Sequence, residues 1–268
     1  MKKMKKTGKR NACLTVALVA IVLLLVCEIV GFSKLVGVEG KLALSLDMTV
    51  TRALGGVAFL AMLINLGYRV LDPFKKPFWS SLLYSMPAFA IAINNFPFSQ
   101  VIKGNAILTD GWGAVALLFL ECMCVGFFEE SAFRGVVFLG ILKRNPKSRL
   151  WAFASIAISS AVFGLVHLIN IFESSPVAVL MQIGYSALIG AMCAVILMKT
   201  ANLWLCVVIH GLFNFAGAVI PRCGEGEIWD AFTIVLTVIV SLCVLAYMIL
   251  LFIKDEMKAV NDIYQMEN

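Results

Sequence analysis

Apolar residues run along this chain in blocks of about 20, the length a helix needs to cross a hydrocarbon core. The blocks recur from Ala12 almost to the end, over 12–32, 48–70, 78–97, 111–130, 149–171, 176–199, 201–221 and 228–253. This pattern predicts an all-α membrane protein, a compact bundle of about eight transmembrane helices. No linker between the blocks is long enough for a soluble domain, so residues 1–268 read as one polytopic membrane domain. The first block continues to about Val30 without a clean small-residue cleavage site, and reads as an uncleaved helix rather than a signal peptide. The third is the weakest, because it holds Pro87, Asn94 and Asn95 and is closed by Pro97. Such a segment is expected to be broken or re-entrant where protein or water covers its backbone. In the sixth, Gly184, Ser186, Gly190 and Ala194 put small residues at helical spacing, a device for close helix approach.

Composition agrees with the pattern. Hydrophobic residues make up 61% of the chain and charged ones only 14%, against about 25% charged in soluble globular proteins. The net charge of +6 does not mark a nucleic-acid binder. Most basic residues fall in the N-terminal tail, the loops at 69–76 and 143–149, and at Lys199, Lys254 and Lys258. The opposite set of loops and edges carries only Lys34, Lys41, Arg52, Lys103 and Arg222. Loop charge bias orients membrane helices, so both termini are expected in the cytoplasm. The eight cysteines contain no CxxC pair and no zinc-finger spacing. They read as small apolar helix residues.

The polar residues inside the spans change the picture. The stretch FFEESAFRG, 127–135, carries Glu129, Glu130 and Arg134 in a membrane run. The chain has two histidines, His167 and His210, and both lie within spans. Ionisable groups in membrane helices are costly and usually mark a functional site. Residues four apart share a helix face, so Arg134 can neutralise Glu130, while Glu129 points about 100° away. His210 and Asn214 are likewise four apart, and Phe163, four before His167, can wall the same pocket. Glu121 lies eight before Glu129, about 80° round the helix, and Glu28 sits near the outer end of the first span.

A carboxylate beside an imidazole can activate water as a general base. A second imidazole and an amide can stabilise a developing oxyanion. Together these hydrolyse an amide without a covalent intermediate. There is no G-x-S-x-G, and the cysteine best placed as a nucleophile is Cys206, four before His210.

On these residues the sequence resembles the CPBP family, the CAAX proteases and bacteriocin-processing enzymes also called the Abi family. EESAFR fits E-E-x-x-x-R at Glu129, Glu130 and Arg134. FGLVH fits F-x-x-x-H at Phe163 and His167, and HGLFN fits H-x-x-x-[ND] at His210 and Asn214. The motif-bearing core spans about 111–218. The resemblance implies an eight-helix intramembrane endopeptidase acting on a membrane-associated peptide or protein in the lipid bilayer. It implies that Glu129 activates water with His167, that His210 and Asn214 form the oxyanion site, and that Glu130 and Arg134 support them. The short loops are similar to those of the bacterial branch, which implies a multi-pass protein of the cell membrane.

No metal is expected. The alternative is a zinc-dependent protease, with Glu129, His167 and His210 as a two-His, one-carboxylate site, although there is no HExxH. Two other readings stay open: a transporter whose charges line a pathway, for which inverted repeats are absent, and a catalytically silent bacteriocin-immunity protein. A buried site also requires a water-filled cavity, expected to open on the side of the basic loops.

Overall fold

A computed structural model describes residues 2–74, 77–172, 174–254 and 257–264, with only the backbone described for 2–10. Lys75 and Lys76, part of the expected basic loop, lie outside the described residues. The chain forms α1 (Lys2–Val30), α2 (Phe32–Leu35), α3 (Lys41–Leu66), α4 (Phe78–Asn94), α5 (Phe98–Ile102) and a short strand β1 (Ala106–Leu108). There follow α6 (Trp112–Glu130), a π-helical segment (Ser131–Phe138), α7 (Leu139–Leu142), α8 (Arg149–Val166) and a 3-10 segment (His167–Phe172). The chain continues through α9 (Pro176–Thr200), α10 (Leu203–Cys223), β2 (Gly224–Gly226), α11 (Ala231–Lys254) and α12 (Lys258–Tyr264).

Among the described residues, seven helical stretches are long and apolar enough to cross a membrane. They are Asn11–Val30, Lys41–Leu66, Trp112–Leu142, Arg149–Phe172, Pro176–Thr200, Leu203–Cys223 and Ala231–Lys254. The molecule is an all-α bundle that crosses the membrane several times. The weak third span becomes the shorter α4, 17 residues with Pro87 inside. It stops where its asparagines turn inward. Asn94 Nδ2 donates to Thr237 Oγ1 of α11 at 3.0 Å, and Asn95 Nδ2 donates to the Phe213 carbonyl of α10 at 2.8 Å. Groups that would be costly against lipid are here satisfied within protein.

The helix starts follow their local chemistry. Ser148 Oγ accepts from Trp151 N before α8, Ser175 Oγ accepts from Ala178 N before α9, and Asn202 Oδ1 accepts from Trp204 N before α10. These caps satisfy amide groups that the first helical turn leaves unpaired. Before α11, Asp230 accepts from Thr233 N at 2.7 Å, from Ser99 Oγ at 2.8 Å and from Lys103 Nζ at 2.5 Å. Lys103 first, then Thr233 and Ser99, hold the Asp230 carboxyl well below the usual carboxylate range. With its folded pKa depressed, Asp230 contributes stability above its unfolded value of about 3.9 and loses it as pH falls toward the folded value. Thermal melts of Asp230→Asn should therefore lie below wild type at neutral pH and converge with it in acid. A gap independent of pH would contradict this.

The expected basic segments gather at one end of the bundle. Arg69 N donates to the Ile263 carbonyl, Tyr264 Oη to the Leu139 carbonyl at 2.6 Å, and Lys143 Nζ lies 5.4 Å from the Tyr68 ring centroid. The Arg149 guanidinium donates to the Ile253 carbonyl. At the other end, β1 pairs antiparallel with β2, and Glu28 meets Arg52 of α3 at 3.3 Å. Glu121, about 80° round the helix from Glu129, is tied to this end. Its carboxylate accepts from Arg222 Nη1 at 2.5 Å, while Arg222 Nη2 donates to Ser45 Oγ at 2.7 Å.

Helices α6 and α10 pack backbone to backbone through two glycines. A Cβ on Gly126 would stand 2.8 Å from the Val207 carbonyl oxygen and 2.9 Å from the Gly211 nitrogen. One on Gly211 would stand 2.5 Å from Met123 Sδ and 3.3 Å from the Cys122 carbonyl oxygen. Because the obstruction at Gly126 is backbone, Gly126→Ala must push the helices apart. Overpacking of this kind costs about 1–3 kcal/mol, read as a lowered unfolding temperature. An unchanged melt would mean that the helices are not so close.

Candidate active site

The two glutamates close α6, and the helix widens into the π-helical segment immediately after them. π-Turns within α-helices recur at functional sites because the extra residue per turn re-aims side chains. Glu130 is fully buried and Arg134 is 1% exposed. Arg134 Nε lies 3.1 Å from Glu130 Oε2. The contact is a charge pair without an aligned hydrogen bond, since Oε2 and both Arg134 Nη atoms lack hydrogen-bond partners. The guanidinium also lies over the Phe163 ring, 4.2 Å from its centroid, where the π face attracts a cation. Its Nε points at the Gly190 carbonyl at 3.4 Å.

Gly190, which sequence alone assigns to helix packing, makes room for this arginine. A Cβ there would stand 2.6 Å from Arg134 Nη2.

The other carboxyl oxygen of Glu130 faces α10, where His210 Nδ1 sits 2.7 Å from Oε1. A carboxylate paired with a guanidinium only accepts, so Nδ1 carries the proton and donates it. His210 Nε2 is left facing Glu129, 3.5 Å from Oε2. The result is a chain of alternating charge and imidazole: Arg134, Glu130, His210, Glu129. Burial falls along it, from a Glu130 side chain with no exposure to a Glu129 side chain 20% exposed. Glu129 is the carboxylate that water and substrate can meet.

His167 ends α8 and opens the 3-10 segment. Its Nδ1 lies 2.9 Å from the Phe163 carbonyl oxygen. A carbonyl only accepts, so Nδ1 carries the proton and Nε2 keeps its lone pair in the neutral ring. Phe163 joins the two histidines. Its ring lies 5.2 Å from the His167 ring and 5.8 Å from the His210 ring, both nearly edge-on. Asn214 is half-buried one turn after His210 on α10, just beyond the Phe213 carbonyl held by Asn95.

The structure thus brings Glu129, Glu130, Arg134, Phe163, His167 and His210 into one cluster of contacts. His167 enters it through Phe163 and makes no ion pair with either glutamate. The contact that sequence reasoning missed is Glu130 to His210, which joins α6 to α10 and leaves no spacing signature. Among the described residues, Glu129, His167 and His210 do not bring three donor atoms within 4.8 Å of one another.

An all-α membrane bundle with paired carboxylates and two imidazoles in its interior has the parts of an intramembrane hydrolase. Residues 111–216 match the family model described as Type II CAAX prenyl endopeptidase Rce1-like. Over that segment the chain resembles the CPBP/CAAX intramembrane proteases. No curated protein and no solved structure matches the chain.

Proposed function

We propose that this protein is an intramembrane endopeptidase that hydrolyses a peptide bond of a membrane-associated peptide or protein with water activated by Glu129. The observation that carries the reading is the part-exposed Glu129 carboxylate, 3.5 Å from an imidazole whose other nitrogen is fixed on the buried Glu130–Arg134 pair. Glu129 accepts a proton from water, and His167 Nε2, holding its lone pair outward from the Phe163 carbonyl, orients that water. The hydroxide adds to the scissile carbonyl. His210 as an imidazolium, its charge supported by the Glu130 carboxylate, donates Nε2–H to the oxyanion together with the Asn214 amide. Collapse breaks the C–N bond, and Glu129 returns its proton to the leaving amine.

This reading needs no metal, and chelation should leave hydrolysis unchanged. The end of the bundle that carries Arg69, Lys143 and Arg149 is the proposed cytoplasmic side, with both chain termini there.

The direct test is to incubate the purified chain with membrane-associated peptides, including prenylated C-terminal ones, in 18O-labelled water. Mass spectrometry should find one new terminus carrying one labelled oxygen. Peptides left intact across the panel would overturn the reading.

A further inference from the structure

Behind the glutamate pair lie two thiols that the hydrolytic reading does not use. Cys193 of α9 and Cys206 of α10 are both fully buried. Their sulfurs and a carboxyl oxygen of Glu130 all lie within 4.8 Å of one another. Cys206 Sγ lies 3.2 Å from the Cys193 carbonyl oxygen, to which its thiol donates. Glu130 Oε2 is buried without a hydrogen-bond partner.

We infer that Cys193, Cys206 and Glu130 form a binding site for a thiophilic divalent cation, zinc or cadmium, separate from Glu129 and His167. Two thiolates and a carboxylate are donors that such ions select. The charge balance favours the exchange in a low-dielectric interior. Two neutral thiols, the Glu130 carboxylate and the Arg134 guanidinium together carry no net charge. A divalent ion that displaces both thiol protons to solvent leaves the group neutral again, with two sulfur–metal bonds formed and two S–H bonds broken. No oxidant or reductant is required. Binding draws on the carboxylate that holds His210, so the site is coupled to the candidate active site through one side chain.

The test uses the full chain, purified under a phosphine reductant, loaded with one equivalent of zinc and freed of excess. X-ray absorption at the zinc edge should show two sulfur neighbours at about 2.3 Å, the remaining neighbours being oxygen or nitrogen. Cys193→Ala and Cys206→Ala should each lower the sulfur count from two to one. A shell of nitrogen and oxygen alone would overturn the inference and point instead to a site of carboxylates and imidazoles. Two sulfurs that persist in both variants would also overturn it, by placing the ion on other cysteines. Hydrolysis is not read, so the outcome is independent of the proposed function.

Discussion

Glu130→Ala is expected to lose about 3–5 kcal/mol of stability, the usual cost of removing one partner of a buried ion pair. Glu130 is fully buried, and its carboxylate is the charge partner of Arg134, itself 1% exposed. Alanine would leave the guanidinium with the Phe163 ring and the Gly190 carbonyl, neither of which carries a compensating charge. It would also free His210 Nδ1, so activity should fall with stability. Glu130→Gln keeps the shape but not the charge and should be intermediate. The pairwise origin of the effect can be isolated. Glu130→Leu combined with Arg134→Met removes both charges and should be more stable than either single variant, because an apolar pair often replaces a buried ion pair at little cost. Unfolding of the purified variants in one detergent measures all of them. A Glu130→Ala protein within about 1 kcal/mol of wild type would contradict this account of the pair.

Much of this arrangement is visible in the sequence. Charges in long apolar runs identify Glu129, Glu130 and Arg134, and the i, i+4 rule pairs the right two of the three. The same spacing sets Phe163 against His167, where the structure has the Phe163 carbonyl accepting from the ring. What is not visible depends on contacts between helices. The Glu130–His210 hydrogen bond joins residues 80 apart, and no local pattern encodes it. The partner of Glu121 is hidden in the same way. Its helical angle relative to Glu129 gives it no favoured role at the site, and its partner Arg222 comes from a helix end 101 residues away. The third span reads correctly as a broken one, since α4 stops at Asn94, but the sequence does not say what Asn94 and Asn95 bond. The structure uses them as ties from the end of α4 to α11 and α10. Gly190 and Cys193 read as packing residues for the same reason, since Gly190 faces Arg134 of the π-helical segment and Cys193 faces Glu130 of α6 and Cys206 of α10.

Glu129→Gln should produce the largest loss of activity for the least loss of fold. The amide keeps the size of the side chain and can still hydrogen-bond to His210, but it cannot take a proton from water. A positioned general base contributes about 10²–10⁴-fold to rate, so hydrolysis should fall by at least about 100-fold. The Glu129 side chain is 20% exposed and makes no pair with Arg134, so the unfolding temperature should stay close to that of wild type. This contrast with Glu130→Ala distinguishes a group that does chemistry from one that holds the site together. The decisive measurement is single-turnover cleavage of a membrane peptide by purified wild-type and Glu129→Gln protein, each under chelator and each with its melting curve recorded. The expected result is wild-type cleavage unaffected by chelator, with a folded but inactive variant. A folded Glu129→Gln protein that cleaves at the wild-type rate would contradict the role of Glu129, and wild-type cleavage abolished by chelator would contradict the metal-free reaction.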